Sequence, residues 1–99
     1  MLERLPFGKE ELVLRQLLLG EAYPLQIVKR GVVGRGTVYV TLVRLEGKGW
    51  VTSRQEDPQP GNIGLPKRFY KLTEAGQKAL EPLDLAREHI RSYSPPGAS

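Results

Sequence analysis

The side chains best suited to chemistry in this sequence are cations, and they are concentrated in one segment. Between Lys29 and Arg54, six lysine and arginine side chains accompany a single acid, Glu46, and neither flanking segment carries an excess of positive charge. The whole chain has 15 basic and 11 acidic residues, a net charge of +4 and a sequence pI near 9.6. A localised basic stretch in a small domain points to a polyanionic partner, although a merely solvated basic surface gives the same pattern.

Catalytic and metal-binding chemistry has few candidates in this chain. There is no cysteine, and the one histidine, His89, falls among charged neighbours. No His or Cys cluster has the spacing of metal ligands, and no glycine-rich loop is followed by Lys-Ser or Lys-Thr. The sequence therefore predicts a protein that is not an enzyme and that needs no metal or cofactor.

Long apolar segments are also absent from the sequence. Residues 1–7 lack the apolar run of a signal peptide, and the longest leucine cluster, Leu17 to Leu19, is far shorter than a membrane span. We expect a soluble, cytoplasmic protein of one domain with no membrane partner.

Hydrophobic periodicity predicts the elements that position the basic segment. Three helices come first, bounded by glycine and proline signals, at Gly8 to Gly20, Pro24 to Arg30 and about Thr37 to Lys48. In the third helix, Val38, Leu42 and Leu45 follow one inward face.

Two β-forming runs and a final helix complete the predicted order. The runs cover residues 50–55 and 67–72, separated by a loop rich in proline and glycine, and Thr73 is a candidate cap for a last helix that Pro82 should kink or divide. Three helices, a two-stranded wing and a C-terminal helix make an α+β winged helix-turn-helix. We assign residues 1–73 to a DNA-binding domain, 74–92 to a dimerisation helix and 93–99 to a disordered tail.

Three blocks of residues resemble the PadR-like transcriptional regulators. They are the third-helix run from Gly36 to Gly49, the wing run from Pro66 to Gly76, and the second-helix set Tyr23, Leu25, Ile27 and Val28. The resemblance covers roughly residues 10 to 85. It implies a DNA-binding regulator that forms a compact homodimer, with repression favoured over activation. Val40 stands where that family commonly has proline, and Thr41 where it is usually apolar, so base preference does not carry over.

The third helix is predicted to enter the DNA major groove, because the second helix of a helix-turn-helix pair does so. Its outward face should carry the side chains that touch double-stranded DNA, namely Thr37, Val40, Thr41, Arg44 and Lys48. The methyl groups of Val40 and of the threonines can make apolar contacts with thymine methyl groups. Arg35 and the backbone amides of Gly36 and Thr37 are placed to bind a DNA phosphate at the helix N-terminus. Tyr39 suits phosphate as well, or partial core packing.

The wing and the last helix supply the remaining candidates. On the wing, Arg54, Asn62, Lys67 and Arg68 reach the DNA backbone or minor groove, unless this hairpin is simply solvated. On the last helix, Ala79, Leu83, Ala86 and Ile90 form a dimer seam, or pack in part on the first helix of the same chain.

Two questions stay open at this level. A winged helix that binds only another protein fits the same elements, although the basic third helix disfavours it. A small-molecule effector is a further possible partner, and Trp50, Phe7 and Tyr93 are the aromatic candidates, with Trp50 better suited to anchoring the wing on the core.

Overall fold

Four helices and one two-stranded antiparallel sheet follow one another in the computed structural model, which describes residues 5–57, 61, 64 and 66–92, with the backbone alone for 90–92. The elements are α1 (Lys9–Leu17), α2 (Pro24–Lys29), α3 (Arg35–Gly47), β1 (Val51–Gln55), β2 (Arg68–Leu72) and α4 (Glu74–Ser92). The order is that of a winged helix-turn-helix, as the sequence predicts. The α4 helix runs through Pro82 without being divided, and the predicted tail lies outside the described residues.

The core lies where the first three helices meet the sheet. The inward stripe of α3, Val38, Leu42 and Leu45, is completely buried, as its spacing predicts. It packs in one cluster with α1 residues such as Leu14 and with Trp50 at the start of the wing. Burial of Trp50 supports its predicted role as an anchor between wing and helices.

The apolar block of the first helix is less buried than its composition suggests. The helix ends at Leu17, and Leu18 and Leu19 follow it in an exposed turn. On the helix itself Leu12 is also exposed, while Val13 is completely buried. Part of this apolar surface therefore has no cover within the described residues of one chain.

The strand β2 is hydrogen-bonded on both sides. On one side it pairs with β1 in a register that places Ser53 opposite Tyr70. On the other side, Tyr70 and Ala22 exchange two backbone hydrogen bonds of 2.8 and 3.1 Å. This bridge could not be predicted from the sequence, since a single buried alanine between two helices carries no strand periodicity.

A close approach fixes the start of α4 against the wing. The hydroxyl of Thr73 accepts a hydrogen bond from the Gly76 amide at 3.0 Å, which confirms the predicted cap. The Thr73 amide donates to the Trp50 carbonyl, also at 3.0 Å. A Cβ on Gly76 would lie 2.2 Å from that same carbonyl oxygen, so only glycine fits here.

Ion pairs hold the second half of α4 against α1. Glu11, whose side chain is only 12% exposed, accepts hydrogen bonds from Arg15 and Arg87, and Arg15 also reaches Asp84 at 2.9 Å. The hydrogen bond from Arg87, with help from Arg15, holds the pKa of Glu11 below its usual range against the opposing effect of burial.

We expect this cluster to make the protein sensitive to acid. A carboxylate whose pKa is lowered in the folded state contributes stability above its unfolded pKa and loses it as the pH falls through the folded value. The free energy of unfolding should therefore fall more steeply below about pH 4.3, the ordinary Glu value, in the natural protein than in Glu11→Gln. Urea unfolding across that range measures the difference. Glu74→Gln, at an exposed ion pair with Lys78, is the control that should keep the natural slope, and equal slopes in all three proteins would contradict the prediction.

Candidate nucleic-acid interface

The exposed face of α3 is centred on two valines. Val40 is 51% and Val43 65% exposed, and Arg44 is exposed beside them. At about 100° per residue, Gly36 and Gly47 fall on the same face. Val40 and Arg44 were predicted from the sequence to face outward, but Val43, which lies about 140° around the helix from buried Val38, was not. That angle was the available signal.

Thr41 does not belong to this exposed face. It is 5% exposed, and its hydroxyl donates to the Thr37 carbonyl at 2.8 Å. The prediction that Thr41 points outward is wrong, because the residue lies about 60° from Val38 and 40° from Leu45, on the flank of the buried stripe. Burial here also fits the apolar residue that is usual at this position in the resembling family.

The N-terminus of α3 begins two residues earlier than predicted. Gly34 is the N-cap, and the helix starts at Arg35. The Thr37 amide donates to the Gly34 carbonyl at 3.1 Å and the Thr37 side chain is half-buried. The amides of Arg35 and Gly36 precede this first bonded amide, so they rather than Thr37 are placed for an anion at this helix end.

Two of the predicted DNA-contacting cations are held within the protein. Lys48 pairs with Glu10 of α1 at 2.8 Å and lies 4.9 Å from the centre of the Trp50 ring. Arg54 makes a two-pronged pair with Glu21 at 2.6 and 2.9 Å, which lowers the pKa of Glu21 and raises that of Arg54. Lys48 lies about 80° from Val38 on the α1 side of α3, which removes it from the outward face where it was predicted.

Aromatic rings join the wing to α2. The guanidinium of Arg54 covers the Phe69 ring at 5.0 Å, Phe69 meets Tyr23 edge to face at 5.7 Å, and the Lys67 ammonium lies 5.2 Å from the Tyr23 ring. Arg68 donates to the Ser53 hydroxyl at 3.0 Å. These contacts fix the base of the wing beside the helices, while Asn62, the predicted wing-tip contact, lies outside the described residues.

Two clefts flank α3. One of about 350 Å³ separates α3 and α2 from the wing, and Tyr39, Lys67 and Arg68 are among its lining residues. Tyr39 is 47% exposed, which agrees with an accessible hydroxyl. The other cleft, of about 410 Å³, runs between α3 and the start of α1, where it brings Phe7 and Lys9 beside Arg44. Phe7 and Lys9 were not predicted as interface residues, because nothing in their spacing along the sequence links them to α3.

Several cations around the α3 face are not paired with an acid. Among the described residues, the side chains of Arg35 and Arg44 make no ion pair, and the Lys67 ammonium lies over the Tyr23 ring rather than beside an acid. No group of three or more metal-ligating side chains occurs in the described part of the chain. Within that part, moreover, no helix is both long and apolar enough to cross a membrane.

The exposed face of α3 is therefore an apolar strip bordered by cations, and such a surface can complement a groove lined by phosphates.

Comparison with known proteins gives a consistent result. The model of the family described as "Transcriptional regulator PadR-like family" matches residues 16–82. A PadR family transcriptional regulator from Eggerthella lenta is similar in structure, with 28% sequence identity, a TM-score of 0.66 and coverage of 83% of this chain and 72% of that one. No curated protein matches significantly.

Two further structures show the same fold at lower identity. A PadR family regulator from hypervirulent Clostridium difficile has 23% identity and a TM-score of 0.71, with 86% of this chain and 92% of that chain covered. Bacillus subtilis PadR, solved in complex with operator DNA, has 21% identity and a TM-score of 0.61, with 86% and 59% covered.

Proposed function

The chain belongs to the PadR-like family of transcriptional regulators, and on that premise we propose that it binds specific double-stranded DNA sites as a cytoplasmic homodimer and represses transcription there. The α3 helix would enter the major groove, and the wing would follow the adjacent backbone. Operator DNA bound to the Bacillus subtilis relative supports the class of partner. Repression needs only that a promoter be occupied, so it is the simplest outcome for a small regulator.

The single observation that carries this proposal is the shape and chemistry of the α3 face. A helix with Val40 and Val43 outward, and with Gly36 and Gly47 on the same face, presents a narrow ridge that the major groove of about 12 Å admits. Around it, the side chains proposed to meet phosphate are Arg35, Tyr39, Lys67 and Arg68, together with Lys9 from α1. A protein-binding surface would not need cations along its border.

The homodimer is proposed from α4. Ala79 and Leu83 are half-buried against the core of their own chain, which is the alternative that the sequence left open for that part of the seam. Ala86 is exposed, and the side chain of Ile90 lies outside the described ones. Leu85 is 69% exposed and lies about 100° around the helix from Asp84, which faces α1. We propose that a second copy covers Leu85 and Ala86.

A dimer would also compensate for the small DNA-binding surface of a single copy. One copy offers a single recognition helix and few cations. Two copies related by a twofold axis would bind a palindromic site, with half-sites about 34–36 Å apart on one face of the DNA.

A small-molecule effector stays a prediction. Of the three aromatic candidates, Trp50 is 8% exposed and belongs to the core. Phe7 is exposed beside α3, and Tyr93 lies outside the described residues. Two places remain where such a molecule would change DNA binding. They are the cleft of about 350 Å³ that Tyr39 lines, and the proposed dimer interface.

The test of DNA binding is a mobility-shift titration with genomic fragments from the region upstream of the protein's own gene, at two salt concentrations. A discrete shift with one fragment that weakens steeply with salt would support site-specific binding. Equal weak shifts with every fragment would contradict specificity, and no shift at low salt would favour a protein-binding module. Transcription from the shifted fragment, with and without the protein, separates repression from activation.

Arg44→Ala is expected to weaken binding to the selected fragment by about 1–3 kcal/mol, because Arg44 has no internal ion pair and lies beside the valine face, where it can reach a guanine. Lys78→Ala is the control, since it removes one exposed positive charge from α4 and should leave affinity unchanged. If Arg44→Ala binds as tightly and as selectively as the natural protein, Arg44 is not part of the interface.

A further inference from the structure

We propose that Val40 and Val43 read thymine methyl groups, so that specificity at the centre of each half-site is carried by apolar contact rather than by hydrogen bonds. This inference rests on the proposed function and names the chemistry that the DNA must present. From the sequence, thymine contacts were predicted for Val40 and for the threonines. Because Thr41 is buried and Val43 is exposed, Val43 takes the place of Thr41 in this proposal.

The position of the two valines is the first support. They are three residues apart, so they lie about 60° apart on one face and about 4.5 Å apart along the helix axis. Side chains at this spacing are neighbours on a helix, with Cβ atoms about 5–6 Å apart, so the two valines are close enough to contact neighbouring base pairs, which rise about 3.4 Å each. Gly36 and Gly47 carry no side chain to hold the ends of this face away from the groove floor.

Hydrogen-bonding side chains are missing from the centre of this face among the described residues. Thr41 is buried with its hydroxyl bonded inside the helix, and Lys48 is directed to Glu10. Thr37 is half-buried, and Arg44 lies on the edge of the face. Donor and acceptor patterns of most base edges therefore go unread at the centre.

The chemistry of the major groove supplies one feature that an apolar side chain can distinguish. Thymine carries a methyl group at C5 that adenine, guanine and unmodified cytosine lack, and apolar contact with it is an established mode of direct readout. Val40 and Val43, each at least half exposed in the free protein, would bury their methyl groups against it. A half-site with thymines on adjacent base pairs is the sequence that uses both.

Deoxyuridine differs from thymidine by this methyl group alone, which makes the test direct. The natural protein is first used to enrich binding sites from random duplexes. The thymines of the enriched site are then replaced by deoxyuridine one at a time, and affinity is measured by fluorescence anisotropy at fixed salt. Burial of one methyl-sized group predicts about a fourfold loss at each contacted thymine, at one or two positions in each half-site.

Valine variants assign the effect. In Val43→Ala, deoxyuridine at the position that Val43 contacts should cause no further loss of affinity. The same should hold for Val40→Ala at the position that Val40 contacts. Leu18→Ala, at an exposed leucine beyond the end of α1, should retain the full loss. If deoxyuridine is tolerated throughout an enriched site, or if both valine variants lose as much as the natural protein, the inference is overturned while DNA binding stands. Failure to enrich any duplex would overturn the proposed function together with it.

Discussion

Replacing Gly76 by alanine is expected to lower the free energy of unfolding by about 3 kcal/mol, the upper end of the usual cost of overpacking. The added Cβ would lie 2.2 Å from the Trp50 carbonyl oxygen and 2.8 Å from the Leu72 Cδ1 atom. Leu72 has a side chain that can move, but the Trp50 carbonyl is backbone and accepts the Thr73 amide. The start of α4 would have to move off the wing, and the midpoint of urea unfolding measures the loss.

Gly47→Ala is the matched control, since Gly47 is also in a helix but has open space where a Cβ would stand. Alanine is favoured over glycine in helices by up to about 1 kcal/mol, so this variant should be as stable as the natural protein or more so. Equal stability of Gly76→Ala and Gly47→Ala would mean that α4 does not pack closely on the Trp50 carbonyl.

Leu85→Glu is expected to convert the proposed dimer to monomers and to weaken operator binding by about 100-fold, the lower end of the gain from joining two binding modules. Each subunit would lose a buried leucine and gain a charge in the interface, and twofold symmetry applies both changes twice. Because Leu85 is 69% exposed in one chain, folding of the monomer should be unaffected. Sedimentation gives the mass, anisotropy with a two-half-site duplex gives the affinity, and circular dichroism confirms the helices.

Gln77→Glu places the same negative charge on an exposed position of α4 two turns earlier. It should leave both mass and affinity unchanged. A Leu85→Glu protein that remains dimeric would place the subunit contact elsewhere, whereas a natural protein that is monomeric at all concentrations would remove the dimer from the proposal.

The fold was predictable because strong local signals agreed with one another. Val38, Leu42 and Leu45 identified the buried side of α3, and Gly49, with a positive φ of 79°, ended it as predicted. The Ala22–Tyr70 bridge had no such signal, since it joins residues far apart in the chain through backbone atoms. The tight fit at Gly76 was hidden for the same reason, because a glycine near a helix start is ordinary until its neighbour in space is known.

The candidate site was predictable in its elements and less so in its side chains. From the sequence, α3 and the wing were predicted to form the interface, and Lys48 and Arg54 were predicted to contact DNA with no pairing to an acid. Glu10 and Glu21 lie outside the basic segment and pair with Lys48 and Arg54, so the available charge is lower than the count of basic residues. Such pairings over 30 or more positions depend on how the helices pack, which residue spacing does not encode. Whether Thr41 or Val43 faced outward required only the helical angle, and there the prediction was avoidably wrong.

The bridge between Ala22 and Tyr70 has a consequence for how the wing opens. Because β2 is bonded to β1 on one side and to the segment between α1 and α2 on the other, β2 cannot leave the helices by breaking one ladder. The amide protons of Ala22 and Tyr70 should therefore exchange with solvent deuterium only when much of the domain opens, at the slow rate of buried core amides. In the proposed DNA complex, a wing whose inner strand is protected in this way would meet the DNA backbone as a preformed part of the domain.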